Sequence, residues 1–254
     1  MSRLDFFSSI GLWWQENIAE PFIKTFITQD RYKMILEGLG NTLLITLLAA
    51  IIGIVLGFVI ATVRTTHDLR KDELKKKKGL GSFLLKFFNG LSKLYLTVFR
   101  GTPIVVQLLI LYFIILTNVV NALEVAVVGF GLNSAAYVAE IFRSGIMSID
   151  RGQNEAGRSL GLNYFQTMIF IILPQAIKNV LPALLNEFIA LLKETSVVGY
   201  IAGTDLTRAA MKIQTATYEP FFPYISIAVI YLVIVIILTK IVGIVERRLR
   251  KSEH

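Results

Sequence analysis

Apolar residues run along this chain in long uncharged blocks, and those blocks predict its main elements. Leu39 to Val63 is 25 residues without a charge. At about 1.5 Å of rise per residue such a helix exceeds the ~30 Å hydrocarbon core, so it spans with some tilt. Gly101 to Leu123 is a second uncharged stretch of 23 residues. Val125 to Ala139 is a third, closed by Glu140 and Arg143 near its end, and Phe221 to Thr239 is the last, ending at Lys240. Between them Val180 to Ala202 is apolar but holds Glu187, Lys193 and Glu194, and we read it as a span that carries polar groups. The pattern predicts five membrane-spanning helices. Ahead of them, Leu4, Phe7, Ile10, Trp14, Ile18 and Phe22 recur at three- and four-residue spacing. That spacing suits either a helix lying in the outer interface, with Trp13 and Trp14 at head-group level, or a flexible leader that adheres to lipid.

Composition agrees with the blocks. The 254 residues are 54% apolar and 17% charged, with a mean hydropathy of +0.63, whereas a soluble domain carries roughly 25% charged residues. This excludes disorder, and the absence of cysteine excludes disulfide scaffolds and thiolate metal sites. Asp5, Glu16, Glu20, Asp30 and Glu37 interrupt residues 1–38, which is not a secretory-signal pattern, so this segment is expected to stay in the mature protein. The net charge of +8 is read as a marker of cytoplasmic loops, not as a nucleic-acid surface. Residues 64–93 hold Arg64, Arg70, Lys71, Lys75 to Lys78, Lys86 and Lys93, and the tail at 247–254 holds Arg247, Arg248, Arg250 and Lys251. By the positive-inside rule both are cytoplasmic, which puts the N-terminus outside. The Lys75–Lys78 run is either a solvated topology signal or a contact for anionic lipid heads. Gly53 and Gly57 form a GxxxG pair that can seat a neighbouring helix.

The connection at 148–178 carries the most specific spacing: Glu155-Ala156-Gly157, three residues, Gly161, nine residues, Ile171, one residue, Leu173-Pro174. Gln153 to Leu160 can form a brief helix with Glu155 in its first turn, where the helix dipole favours an acid. Small Ala156 and Gly157 allow close approach to another surface. Gly161 can take a left-handed cap, and Leu173-Pro174 is expected to restrict the return to the fourth span.

This spacing resembles the EAA loop of the permease subunits of bacterial ABC importers, EAA-x3-G-x9-I-x-LP, with Gly157 where the family has Ala. Phe99-Arg100-Gly101-Thr102-Pro103 is similar to the "FRGTP" entry to the second span in the polar amino-acid branch (His, Glu, Gln, Arg and opine types). Ala136 to Ile141 with Arg143 and Gly145 resembles "AYxAEIxRxG". Gly152-Gln153, Pro174-Gln175-Ala176 and Lys193-Glu194-Thr195-Ser196 resemble "GQxEAA", "LPQA" and "KDTS", and Asp205-Leu206 stands where the family has Glu-Leu. The resemblance covers about residues 38–246. It implies an all-α, five-span type I importer permease of the inner membrane, with its N-terminus outside and its C-terminus in the cytoplasm. It further implies a separate ATPase dimer that uses ATP and Mg and is coupled through Gln153, Glu155, Ala156, Gly157, Gly161, Leu173 and Pro174. The remaining implied partners are a second permease, identical or a sister chain, and an extracytoplasmic amino-acid-binding protein. Without the resemblance, the same loop reads as an amphipathic connector between spans.

Charges at membrane depth mark functional sites by default. Glu140 and Arg143 share a helix face and suit either an interfacial ion pair or a translocation path. Arg100 is an anchor or a path residue. Glu187, Lys193 and Glu194, with Asn186, Thr195 and Ser196, either line a cavity for a zwitterionic amino acid or hold a dimer interface together. The chain has no G-x-x-x-x-G-K-[ST] loop, so ATP hydrolysis is expected in a partner and no cofactor in this chain. A self-sufficient secondary transporter would show repeated halves with interrupted helices, and none is visible. An intramembrane enzyme would need HExxH or a nucleophile elbow, and the sequence has neither.

Overall fold

The computed structural model describes residues 11–76, 79–118 and 121–250. Leu4, Phe7 and Ile10 of the leading pattern, Lys77 and Lys78 of the basic run, and residues 251–254 of the tail lie outside the described residues. The described chain is helical throughout, with α1 (11–27), α2 (Tyr32–Leu69) and α3 (Lys71–Lys76). There follow α4 (Leu80–Gly101), α5 (Ile104–Ile115), α6 (Ala122–Met147), α7 (Arg151–Ser159) and α8 (Tyr164–Ile201), with α9 (Leu206–Thr217) and α10 (Phe221–Arg250) last. Four of these, α2, α6, α8 and α10, are long and apolar enough to cross a membrane, and the bent pair α4–α5 is a fifth candidate.

The span boundaries differ from those read off the uncharged runs. Helix α2 begins at Tyr32 and continues through Arg64 and His67, and at about 57 Å for its 38 residues it outreaches the hydrocarbon core. Its charged ends are where it leaves the lipid. The uncharged run from Gly101 to Leu123 belongs to two helices, because a turn after Leu116 separates α5 from α6. The basic segment 64–93 is not a loop. It comprises the end of α2, α3 and half of α4, since Lys86 and Lys93 lie on one flank of an otherwise apolar helix. Helix α8 likewise starts at Tyr164, well before Val180.

Small residues set how closely α2 approaches α6. Thr42, Thr46, Ala49, Gly53, Gly57, Ala61 and Thr65 form its buried stripe. A Cβ on Gly53 would lie 2.9 Å from Ser134 Oγ, and one on Gly57 would lie 2.6 Å from Val138 Cγ1. The pair therefore seats α6, as small-xxx-small motifs do where lipid offers no hydrophobic drive. Around this contact Ile45, Leu108, Phe130, Leu191, Val198 and Ile201 complete a core drawn from α2, α5, α6 and α8.

Pro103 ends α4, and α5 leaves at 108°. A break at membrane depth frees carbonyls that lipid cannot satisfy. Gln107 answers this by donating from Nε2 to the carbonyls of Phe99 (2.9 Å) and Thr102 (3.0 Å), and Asn133 of α6 donates to Gln107 Oε1 (3.0 Å) and to the Phe99 carbonyl (3.2 Å).

At the other end of the bundle, Asp205 caps α9 by accepting from the N–H groups of Thr207 (2.9 Å) and Arg208 (3.0 Å). Burial pushes its carboxyl above the usual carboxylate range, and those two donors pull it back. Helix α1 docks on the same corner, with Phe22 edge-on to Phe222 at 5.9 Å and Phe26 against the cluster of Ile35, Leu206 and Ile213. Trp13 and Trp14 stay exposed.

If the α2–α6 approach is set by Gly57, Gly57→Leu must push the helices apart. Overpacking costs about 1–3 kcal/mol. The expected result is a clear drop in the melting temperature of the detergent-purified chain, with Gly40→Ala, which meets nothing within 4 Å, close to wild type. Equal melting of both variants would refute the close-approach account.

Candidate functional site

Helix α7 projects from the bundle between α6 and α8. Asp150 is its N-cap, accepting from the Gly152 N–H at 2.6 Å. The helix therefore starts at Arg151, two residues before the expected Gln153, and Glu155 falls in its second turn. The acid at the helix start is Asp150, which supplies the dipole complement that the sequence suggested for Glu155. Glu155 is exposed.

The exit is as the spacing implied. Gly161 has φ +85°, its N–H donates to the Arg158 carbonyl (3.0 Å), and the Leu162 N–H reaches back to Gly157 (3.1 Å). These two bonds make a Schellman stop that only glycine reaches without strain. Asn163 and Gln166 then form a capping box for α8. Leu173-Pro174 does not interrupt the return, because α8 is helical through it. The Leu173 N–H bonds five residues back to Met168, forming a π-turn just before the proline that lacks a donor.

Gly157 has a reason that neither composition nor spacing revealed. It is buried, and a Cβ there would come within 2.8 Å of Thr167 Cγ2 and 2.9 Å of Ile171 Cδ1. The departure from the family's Ala is thus matched to α8, which bears directly on α7 at this point. Gln175 Nε2 adds a long contact to Gln153 Oε1 at 3.4 Å. Leu160 and Phe165, beside the turn, expose large apolar side chains. A recess of about 390 Å³ between α7 and the end of α2 is lined by Asp68, Lys71, Asp150, Arg151, Glu155 and Arg158 among others.

The polar residues of the spans separate into two groups. Arg143 makes a two-pronged pair with Glu140 (2.5 and 3.2 Å) and also faces Asp68 of α2 at 3.6 Å. Arg100 lies 4.0 Å from Glu140 and stacks over the Tyr137 ring at 5.7 Å. These three sequence candidates form one ionic cluster at the α7 end of α2, α4 and α6. Glu187 lies apart from them, accepting from Ser134 Oγ of α6 at 3.1 Å. Asn186 bonds the Pro182 carbonyl (3.1 Å), and Lys193 and Glu194 are exposed. Thr195 is fully buried and donates to the Leu192 carbonyl (2.8 Å), closing the helix where it tightens, while Ser196 is half-buried. Ser134, Gln107 and Asn133 were not singled out from the sequence. The available signal was a polar side chain in an apolar run, which is expensive in lipid unless partnered. No group of three or more His, Cys, Asp or Glu among the described residues can hold a metal ion.

With this geometry in hand, the family described as binding-protein-dependent transport system inner membrane component matches residues 79–251. The chain is 45% identical to the arginine transport system permease protein ArtQ of Bacillus subtilis, over 65% of this chain and 77% of that protein. It is 34% identical to the probable glutamine ABC transporter permease protein GlnM of the same organism, over 88% and 96%. A crystal structure of an amino acid ABC transporter with histidines matches at 41% identity and a TM-score of 0.75, covering 88% of this chain and 98% of that one. The MetNI methionine ABC transporter, at 17% identity and a TM-score of 0.70, shares the fold.

The seat of α7 gives a direct test. Gly157→Ala should detach α7 from α8 and lower the melting temperature of the purified chain, even though alanine is the better helix former by roughly 1 kcal/mol. Adding Thr167→Ser removes the nearest methyl and should restore most of the loss. A stabilising Gly157→Ala would show that helix propensity, and not contact with α8, governs this position.

Proposed function

The chain belongs to the family of binding-protein-dependent transport inner membrane components, and from that premise we propose that it is the permease of an uptake system for a polar amino acid. It is a multi-pass membrane subunit of an ABC importer, and the secondary-transporter alternative is set aside by the family match. The amino-acid substrate is carried over from the arginine and glutamine permeases it resembles.

The observation that carries the proposal is α7. A nine-residue helix with an exposed Glu155, a glycine-locked exit and a side pressed onto α8 is suited to sit in a groove of a separate ATPase. Gln153, Glu155, Ala156, Gly157 and Gly161 shape that element, while Leu173 and Pro174 follow the π-turn inside α8 that receives it. ATP and Mg belong to the ATPase dimer. An extracytoplasmic binding protein would deliver the amino acid, and a second permease, identical or a sister, would complete the path. The positive-inside rule puts Arg64, Lys71, Lys86 and Arg247 in or beside the cytoplasm, and with them α7. Residues 1–38 then lie outside.

For the path itself, Glu187 is the best placed candidate. It is a half-buried carboxylate at a helix crossing, partnered among the described residues by a neutral hydroxyl and not by a cation, which leaves it able to receive a substrate ammonium group. Asn186, Lys193, Glu194 and Ser196 flank it along α8, whereas Arg100, Glu140 and Arg143 are already matched to one another.

Two measurements test this reading. A cysteine in place of Lys76 should be labelled only by reagents that reach the cytoplasm, and labelling of intact cells by an impermeant reagent would overturn the orientation. Glu187→Gln in proteoliposomes holding the whole complex should cut amino-acid uptake about tenfold, since hydrogen bonds to charged groups contribute roughly 1.5–3 kcal/mol. Basal ATPase activity and membrane insertion should persist. Unchanged uptake kinetics would assign Glu187 to helix packing.

A further inference from the structure

The cytoplasm-facing end proposed above carries a second feature that transport does not use. Helix α4 has three faces. Asn89, Ser92 and Leu96 are buried against the bundle. Phe87, Leu91, Leu94 and Val98, at four- and three-residue spacing, form an outward apolar face, with Phe87 52% and Leu94 62% exposed. Lys86, Lys93 and Arg100 recur every seven residues and so form one basic line on the flank between the two. Because α4 meets α5 at 108°, the two cannot both stand along the membrane normal, and α4, with its basic flank, is the one that lies toward the membrane plane. In that orientation the apolar face meets acyl chains and the basic line meets head groups.

The basic line ends in a recess of about 570 Å³, where Lys93, Thr97 and Arg100 of α4 face Arg64 of α2 and Tyr137 and Glu140 of α6. Three cations line it against one carboxylate, and that carboxylate is already held by the two-pronged pair with Arg143. Among the described residues Lys93 has no carboxylate partner, and Arg64 Nε is buried without a hydrogen-bond partner. A buried donor of this kind is costly unless something supplies an acceptor. The recess therefore has an excess of positive charge, and α4, which supplies two of its cations, also carries the apolar track.

We propose that this recess binds the phosphate head group of an acidic phospholipid, whose acyl chains lie along Phe87, Leu91, Leu94 and Val98. Arg64 and Arg100 grip phosphate oxygens as planar donors, and Lys93 adds a point charge at the mouth. A free phosphate would use the same cations but would leave the apolar track unoccupied, and the track is what assigns the anion to a lipid.

The test uses the permease co-expressed with its ATPase and exchanged into nanodiscs of phosphatidylcholine containing phosphatidylglycerol. Lipid that remains bound on release is counted by native mass spectrometry. Wild type should retain phosphatidylglycerol and not phosphatidylcholine. Lys93→Glu, a change at an exposed position that leaves packing intact, should lower retention about tenfold, in line with the interaction of single basic residues with acidic lipid. Lys93→Arg should keep it, and Lys240→Glu on α10 should not affect it. Retention unchanged in Lys93→Glu, or lost equally in Lys240→Glu, would overturn the site. Displacement of the lipid by millimolar inorganic phosphate would give the recess to a free anion. A Lys93→Cys crosslink between two permeases, with no bound lipid, would give it to a second copy.

Discussion

Lipid offers no hydrogen bonds, so every backbone carbonyl freed at membrane depth must be met from within the chain. The α4–α5 break is where this constraint is most demanding, and its solution positions much else. Pro103 has no N–H to donate, and the chain turns through 108° there. Gln107 and Asn133 supply the missing donors to Phe99 and Thr102. Because one of those donors comes from α6, the break is held only while α6 stays close. That proximity is in turn set by the glycines and threonines of α2, against which α6 packs. The direction of α4, the basic line it carries and the ionic cluster of Arg100, Glu140, Arg143 and Asp68 all follow from this arrangement.

A similar economy shapes the turn between α7 and α8. The stop at Gly161 needs a left-handed residue, and the capping box at Asn163 restarts the chain after one intervening residue, Leu162. Two opposed helix termini are thus satisfied within five residues, without help from a partner. The element is preformed, so the docking proposed for it would not be offset by the ordering of a flexible loop. Gly157 extends the same logic to tertiary contact. Helix propensity favours alanine there, but the side of the helix that meets Thr167 and Ile171 has no room for a methyl group.

The apolar spans were legible in the sequence because hydrophobic length is a one-dimensional signal, four as single helices and the fifth candidate as the bent α4–α5 pair. Boundaries were less so, since α2 and α8 run on through residues such as Arg64 and Lys178, whose charge breaks the uncharged run without breaking the helix. Helix α4 was hidden for a related reason. Its lysines counted toward a basic loop, although at seven-residue spacing they occupy only one flank. The EAA spacing exposed α7 and its glycine exit, because both are local. It misplaced the helix start, since Asp150 lies outside the motif. The Ser134–Glu187 contact joins residues 53 positions apart, and the seating of Gly157 depends on which face of α8 turns toward α7. Neither is encoded in any short pattern.

These contacts also place the seat of α7 and the Glu187 carboxylate on a single helix. Thr167 and Ile171, which receive α7, lie on α8, and so does Glu187. The twenty residues between Thr167 and Glu187 correspond to roughly 30 Å of helix. A displacement imposed on α7 is borne first by α8, because Gly157 leaves no slack at their contact. Two features along the way let α8 bend: the π-turn from Met168 to Ile172 and Pro182, both sites where the regular ladder is interrupted. The opposing surface is α6, which carries Ser134 and is tied to α2 along its small-residue stripe. Movement of α8 against a fixed α2–α6 pair would therefore act first on the Ser134–Glu187 hydrogen bond, the side-chain bond that joins the two elements at that depth among the described residues.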